Sequence, residues 1–515
     1  MKTRTELEQE NAHIRSLLLQ KDGVIESKNI ALESKDAFIE QLKEALILER
    51  NRRFAKASES LRSLQGELFN EPEVEAIIAD PQADDESSIT VPAHKRKRSG
   101  RKPLPEDLPR VEVIHDLSDA DKICPHDGCA LKAIGDKVSE QLDIVPMQIQ
   151  VIRHIRKQYA CPCCEGFLKT AAKPKQPIEK SQASAGLLAY IALSKYADSL
   201  PLYRQSNILG RFGIEMNRTT LANWMIKCGE LVQPLINRFE EHLLEAPFIH
   251  MDETPVQVLN EAGKSATSKS YMWVRSAGPP GNRIILFDYD PSRSGSVPKR
   301  LLADYQGALM VDGYEGYEPL CREQSLIRLG CWVHARRKFV DVSKASKNKN
   351  RQAAYAIKLI AKLYAVEKAS KEASPEARYQ ARLEKSKPII DKLKAWLDEV
   401  RPKVAPKTTL GKALHYLDHQ WPRLIRYLED GRYPIDNNPV ENAIRPFAVG
   451  RKNWLFSASI PGAKASANLY SLLETAKANG LEPYAYLKRV FADLPNATSF
   501  DDVDLLLPEN IKKAV

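Results

Sequence analysis

The stretch FIHMDETPVQVL, residues 248–259, decides the fold, because it is the first of five segments with the composition and alternation of β-strands. The other four are SYMWVRSA, RIILFDYD, ALMVDGYEGY and RLGCWVHA, which ends at Ala335. A short helical piece, VPKRLLADY, separates the third strand from the fourth. This order of elements predicts an α/β domain, whereas the preceding residues have helical periodicity.

Three strands, a helix and further strands suggest an α/β core like that of ribonuclease H. In that fold one aspartate lies on the first strand and a second lies just beyond the fourth. Asp252 in HMDET and Asp312 in MVDGYEGY occupy these two places, and Glu441 in DNNPVENAIRP opens a helix-like stretch. Carboxylates gathered from distant segments are suitable ligands for Mg²⁺ in phosphodiester chemistry. Because the chain contains 67 Asp and Glu residues, the flanking motifs carry this prediction rather than the spacing.

Length and composition limit the class of protein. A chain of 515 residues should contain more than one domain, and 43% hydrophobic residues indicate a mostly globular chain. The formal net charge of +10 favours a polyanionic partner, although a merely basic protein has the same composition. The charged N-terminus does not resemble a secretory signal, and no apolar run is long enough for a membrane helix. We therefore expect a cytoplasmic protein whose eight cysteines are thiols or metal ligands.

Residues 1–66 have the heptad pattern of a coiled coil. One row repeats every seven residues: Leu18, Ile25, Leu32, Ile39 and Leu46. Leu7, Ile14 and Leu42 fall on the companion row, which lysines interrupt. The pattern favours a dimer, and a single amphipathic helix packed on its own chain is the alternative. Residues 67–118 are predicted to be a linker with a basic run, HKRKRSGRKP (94–103), that is either a solvated tether or a phosphate-binding segment.

A cysteine cluster in residues 119–175 predicts a small module like a zinc ribbon. The proposed ligands of a structural Zn²⁺ are Cys124, Cys129, Cys161 and Cys164. The residues between the two pairs alternate like a β-hairpin. His126 and Cys163 compete for places in the ligand set, and buried free thiols are the alternative to a metal site.

Residues 181–245 are predicted to be helical, with a break at Gly213 and a second helix after an Asn217 N-cap. Two helices joined in this way resemble a helix-turn-helix, whose second helix would present Arg218, Thr220 and Asn223 to DNA. The alternative is an ordinary helical hairpin with Leu221 and Trp224 in the core. The catalytic domain is predicted over 246–457 with a helical insertion at about 340–430, followed by a C-terminal helical domain over 458–515.

The motifs together resemble those of the large transposase subunit of the insertion-sequence 66 family, a group of DDE transposases. The resemblance rests on HMDET, VDGYEGY, GCWVHARRKF (330–339) and DNNPVENAIRPFAVGRKNWLFS (436–457). The zipper, the cysteine cluster and the tail LYSLLETAKANGLEPYAYL occur in the same order as in the family. Two departures stand out: Asn442 replaces the arginine usual after the glutamate, and the first cysteine pair is wider than the usual C-x-x-C.

The resemblance implies a bacterial, nucleoid-associated enzyme that cleaves the ends of its element and joins the 3′-hydroxyls to target DNA. Asp252, Asp312 and Glu441 would bind Mg²⁺ or Mn²⁺. Six side chains near the motifs are candidate DNA contacts: His334, Arg336, Arg337, Arg445, Arg451 and Lys452. Packing is the alternative for His334, and solvated charge is the alternative for the last three.

The resemblance also implies terminal inverted repeats as the bound DNA and two small accessory proteins of the same element. The zipper favours a homodimer or a larger assembly. Two other functions remain open from the sequence: a DNA-binding regulator with an inactive core, and a ribonuclease-H-like nuclease that cuts without joining. The intact carboxylate triad argues against the first. A zipper able to pair two ends argues against the second.

Overall fold

The computed structural model describes residues 148–160, 168–345 and 350–513, together with Cys129 and most positions of 17–50. It divides into two compact units, residues 1–80 with 156–515, and residues 81–155. Only Cys129 and 148–155 are described in the second unit. No helix in the described parts of the chain is long and apolar enough to cross a membrane.

The described positions of 17–50 are helical, as the heptad pattern predicted. Leu7 and Ile14 of the predicted seam lie outside the described residues. The described seam residues are exposed in the single chain, with exposed fractions from 46% at Ile39 to 72% at Leu46. A row of exposed apolar side chains along one helix is the surface that a coiled-coil partner covers.

A mixed six-stranded sheet forms the centre of the first unit. Its strands are β3 (Phe248–Asn260), β4 (Lys269–Ala277), β5 (Ile284–Asp290), β6 (Ala308–Val311), β7 (Ile327–Gly330) and β8 (Ser457–Ser459). The order across the sheet is β5-β4-β3-β6-β7, and β8 pairs with the far end of β3. The first three strands are antiparallel, whereas β6 and β7 run parallel to β3. This order places β3 in the middle of the sheet.

The helices before the sheet are α1 (Ala185–Tyr196), α2 (Leu202–Arg211), α3 (Arg218–Leu231) and α4 (Gln233–Leu244). The predicted N-cap of α3 is confirmed, because the Asn217 side chain accepts from the amides of Thr219 and Thr220 at 2.6 and 3.3 Å. Gly213 has φ +76°, which supports the predicted break. Leu221 and Trp224 are buried in the hydrophobic core that these helices share with the sheet.

Between β5 and β7 lie α5 (Ser296–Leu301) and α6 (Glu318–Glu323), and between β7 and Glu441 lies a helical insertion. Its α-helices are α7 (Trp332–Ala345), α8 (Arg351–Ala369), α9 (Pro375–Ala381), α10 (Lys387–Val400) and α11 (Thr409–Leu424). Helices α7, α8, α10 and α11, with β6 and β7, enclose a second hydrophobic core.

The prediction of a fifth strand over RLGCWVHA was wrong for the second half of this segment. The strand ends at Gly330, and α7 begins at Trp332. The buried residues Trp332, Ala335 and Phe339 recur at helical spacing, so one face of α7 packs into the core. The helical insertion therefore starts at Trp332 and not at about residue 340. The sequence prediction missed this because a short apolar run does not distinguish a strand from a buried helix.

The chain ends with α12 (Asn438–Trp454), α13 (Ile460–Ala478), α14 (Pro483–Asp493), α15 (Phe500–Asp504) and α16 (Pro508–Lys513). Helix α13 packs on the sheet, where Thr475 and Ser471 accept hydrogen bonds from the amides of Ile285 and Phe287 on β5. The described part of the predicted C-terminal domain, residues 458–513, therefore shares the main core of the sheet and does not form a separate one.

Two short antiparallel strands, β1 (Gln158–Ala160) and β2 (Leu168–Thr170), flank the second cysteine segment. Of the alternating stretch between the predicted cysteine pairs, residues 148–160 are described. Residues 148–157 are not in a strand, and the last three residues form β1. Cys124, Cys161, Cys163, Cys164 and His126 lie outside the described residues, and Cys129 is exposed.

Candidate active site

Two aspartates come together because β3 and β6 are parallel neighbours. His250 on β3 is opposite Met310 on β6. Two residues after this pair, Asp252 is still within β3, and Asp312 lies just beyond the end of β6. Each carboxylate accepts a hydrogen bond from one nearby backbone amide. The donor is Glu253 N for Asp252 and Tyr314 N for Asp312, both at 2.8 Å. The sheet therefore positions the two side chains at the same level.

Glu441 reaches the same place from the first turn of α12. Asn437 fixes the start of this helix, because its Nδ2 donates to Met251 O and its Oδ1 accepts from His250 Nδ1, both at 3.0 Å. Its backbone amide donates to the Cys331 sulfur at 3.3 Å. Asn437 is fully buried and was missed by the sequence analysis. The DNNP motif around it was the available signal.

Burial and repulsion from neighbouring carboxylates raise the pKa values of Asp252 and Glu441. The pKa of Asp252 is well above its ordinary value because the group is desolvated and faces Glu253, Asp312 and Glu441. Desolvation raises the pKa of Glu441 to about 7, against the attraction of Arg337. The charges of Asp436 and Asp312 contribute to this rise. The predicted triad is thus one electrostatic cluster with more negative charge than its protein neighbours neutralise.

A second set of residues beside the aspartates was not predicted. Glu253 accepts from Tyr317 Oη at 2.7 Å and forms an ion pair with Arg293 at 2.6 Å. Arg293 also lies over the ring of Tyr314, 4.2 Å from its centroid. Burial raises the pKa of Glu253, against the effects of Tyr317 and Arg293. These contacts fix the loop after Asp312 against β3. The tyrosines of VDGYEGY therefore have packing roles.

Helix α7 brings His334 and Arg337 to Glu441. His334 Nδ1 lies 3.6 Å from Glu441 Oε1, and an Arg337 guanidinium nitrogen lies 3.5 Å from Oε2. Burial, followed by the charge of Arg337, lowers the pKa of His334 to about 4, so the imidazole is neutral at pH 7. Burial also raises the pKa of the Cys331 thiol well above its ordinary value.

Arg336 does not fit the predicted role of a DNA contact. Its exposed fraction is 1%, and its guanidinium acts electrostatically on the buried Tyr364 inside the insertion. Neighbouring positions on a helix differ by about 100° in direction, so Arg337 faces the cluster while Arg336 faces the core. A buried side chain offers no surface to DNA in this conformation.

The other proposed DNA contacts lie on two surfaces. On α3, Arg218 and Asn223 are exposed and Thr220 is half-buried. On α12, Lys452 is exposed, whereas Arg445 and Arg451 are half-buried. Arg451 donates to Thr254 Oγ1 at 2.8 Å and to the carbonyl of Pro255, so it also fastens α12 to β3.

Comparison with known proteins decides the family. A family model described as "Transposase IS66 family" matches residues 180–465, which include the whole sheet and the carboxylate cluster. The chain belongs to this family. Models for three other parts of IS66 transposases also match. They are a "zinc-finger binding domain" at 121–165, an "IS66 C-terminal element" at 471–508, and a leucine-zipper model described as "Transposase C of IS166 homeodomain" at 41–113.

Three proteins of Sinorhizobium fredii, all described as uncharacterized, are similar to this IS66-family transposase over most of its length. The protein y4jD is 34% identical over 79% of this chain and 81% of its own. The protein y4qI is 32% identical over 81% of this chain and 78% of its own. The protein y4hP is 29% identical over 90% of this chain and 85% of its own. The similarity to y4hP, over 480 residues, thus extends beyond residues 180–465.

Proposed function

We propose that this IS66-family transposase binds the terminal inverted repeats of its element, cleaves the element ends and joins the 3′-hydroxyls to target DNA. The observation that carries the proposal is the convergence of Asp252, Asp312 and Glu441 from three distant segments into one partly buried, repulsive cluster. A ribonuclease-H-like core is part of the proposal. The order β5-β4-β3-β6-β7, with an aspartate on the central strand, supports it.

The cluster has the chemistry of a site for hard divalent cations. Asp252, Asp312 and Glu441 offer oxygen donors, and Glu441 Oε1 is buried without a hydrogen-bond partner in the described structure. Buried carboxylates that repel each other are stable in charged form when a cation neutralises them. Bound Mg²⁺ or Mn²⁺ would supply Lewis-acid activation of the attacking hydroxyl and stabilisation of the leaving oxygen.

The protein's own residues position this chemistry. Glu253, Tyr317 and Arg293 hold the loop after Asp312 against β3. Asn437 holds the first turn of α12, so Glu441 keeps its place relative to the strand. No side chain is required as a covalent nucleophile, because phosphoryl transfer to water or to a 3′-hydroxyl needs only positioning and charge stabilisation.

DNA is the partner that the family and the charge of the chain favour. We propose that Arg218, Thr220 and Asn223 on α3 contact element ends and that Lys452, Arg445 and Arg451 contact DNA near the cluster. We further propose a structural Zn²⁺ bound by Cys124, Cys129, Cys161 and Cys164. The matched zinc-finger model supports that metal. The zipper would pair two chains, and two accessory proteins of the same element would complete the assembly.

Asp252→Asn and Asp312→Asn test the function. Each change keeps side-chain size and removes a charged oxygen donor, so cleavage and joining should fall below detection while binding of element-end DNA persists. Strand transfer with the element's terminal repeats and a gel-shift assay measure the two properties. Asp304→Asn, at an exposed position on the same domain, is the matched control and should retain activity. Cleavage by either active-site variant would refute the proposal.

A further inference from the structure

Among the described residues, one group of three potential metal ligands lies together: Cys331, His334 and Glu441, whose ligand atoms are within 4.8 Å of one another. The three do not have equal roles. The Cys331 sulfur already accepts hydrogen bonds from the amides of Asn437 and His334. It therefore caps the start of α7 and joins it to α12, leaving His334 and Glu441 as the pair that faces the cluster.

The facing atoms of this pair have no protein partner. Glu441 Oε1 and His334 Nδ1 are buried and make no hydrogen bond. The Glu441 side chain is only 4% exposed, and the two atoms are 3.6 Å apart. That separation is too long for a hydrogen bond. Buried polar atoms without partners are costly, so two such atoms that face each other inside an active site need a physical reason.

A shared ion supplies that reason. Two ligands at about 2.1 Å from one ion, separated by 90–120° at the metal, lie about 3.0–3.6 Å apart. The observed 3.6 Å is at the upper end of this range. Arg337 approaches the other oxygen, Oε2, at 3.5 Å, so Oε1 is the oxygen that remains for a metal. In one of the two imidazole tautomers, Nδ1 of His334 carries a lone pair that can bind the ion.

We propose that His334 is a nitrogen ligand of the divalent ion bound by Glu441, which makes this position selective for Mn²⁺ over Mg²⁺. The inference rests on the proposed function and deepens it. Mg²⁺ binds oxygen ligands almost exclusively, whereas imidazole nitrogen suits first-row transition metals. An active site made only of carboxylates would have less preference between the two ions. As a metal ligand, His334 would determine metal preference, which a side chain that only contacts DNA phosphate would not do.

Electron paramagnetic resonance of Mn²⁺ bound to the full-length protein tests this directly. The spin-echo signal should show coupling to a directly bound ¹⁴N nucleus, and His334→Ala should abolish it. In Mn²⁺ titrations with Mg²⁺ competition, His334→Ala should lose about tenfold or more of the Mn²⁺ preference. His334→Asn places an amide at the position of Nδ1. This variant should still bind the divalent ion but should lose the preference for Mn²⁺ over Mg²⁺. It also tests the proposal if the alanine variant fails to fold.

His419→Ala is the matched control, because His419 stacks on His415 at the exposed surface of α11 and could bind Mn²⁺ adventitiously. Loss of the ¹⁴N coupling in this control would overturn the proposal. So would bound Mn²⁺ without ¹⁴N coupling in the wild type, or coupling that persists in both His334 variants. These three results would leave the carboxylate site intact. Failure of the wild type to bind Mn²⁺ at all would instead remove the metal centre and the proposed function with it.

Discussion

The raised pKa of Glu441 predicts that the active site destabilises the metal-free protein, and that Glu441→Gln should stabilise it. The pKa rises from 4.5 to about 7, chiefly through desolvation. One pKa unit corresponds to about 1.4 kcal/mol, so the charged carboxylate costs about 3 kcal/mol of folding free energy. Glutamine keeps the shape of the protonated side chain and has no charge to bury.

The sign of the effect fixes its pH dependence. For a carboxyl group whose pKa is raised on folding, the penalty is absent below the unfolded value of 4.5 and complete above about 7. The stabilisation by Glu441→Gln should therefore be about 3 kcal/mol at pH 8 and under about 1 kcal/mol at pH 5. In thermal unfolding, the difference at pH 8 corresponds to a rise of roughly 5 °C in the midpoint.

The assay is thermal unfolding of wild type and variant in magnesium-free buffer at both pH values. Glu372→Gln, at an exposed position of the insertion, is the control and should change the midpoint little at either pH. Saturating Mg²⁺ should raise the wild-type midpoint and have less effect on Glu441→Gln, because the ion loses a ligand. A variant that is less stable than the wild type at pH 8, or equally shifted at both pH values, would refute the reasoning.

Three further outcomes are expected. Freshly purified protein should retain about one zinc per chain after dialysis, and Cys163→Ser should keep it; metal analysis without zinc would remove the proposed site. Replacing Ile25, Leu32 and Ile39 together with Asp should lower the oligomeric state in light scattering and abolish paired-end complexes, since the charges would have no partner in a helix seam. Asn437→Ala should cost about 2–4 kcal/mol in denaturant unfolding, because it leaves buried groups unpaired; a loss under about 0.5 kcal/mol would exclude its anchoring role.

Much of the first unit followed from local patterns in the sequence. Alternating apolar residues predicted β3, β4, β5 and β6, and Asn217 predicted the start of α3. These features depend on side-chain periodicity and capping, which act over a few residues. The identities of Asp252, Asp312 and Glu441 as candidates also came from their flanking motifs. The family models agree with those motifs over most of the chain.

Tertiary packing decided what local patterns leave ambiguous. The run from Arg328 to Ala335 has the composition of a strand, but Trp332 and Phe339 pack into the insertion core and make its second half helical. The same packing turned Arg336 inward and Arg337 toward Glu441, a distinction that adjacent arginines in a sequence do not reveal.

The charge state and ligands of the site are also tertiary properties. The pKa of Glu441 rises to about 7 chiefly through desolvation, which local sequence does not reveal, and the charges of the nearby Asp436 and the distant Asp312 add to the rise. Asn437 could be recognised as an anchor only when its partners Met251 and His250, nearly two hundred residues away, were seen beside it. The sequence by itself determined which side chains are candidates for the chemistry and which local elements hold them. The folded chain decided which of them are desolvated together, because burial and electrostatic interaction depend on distance in space rather than along the chain.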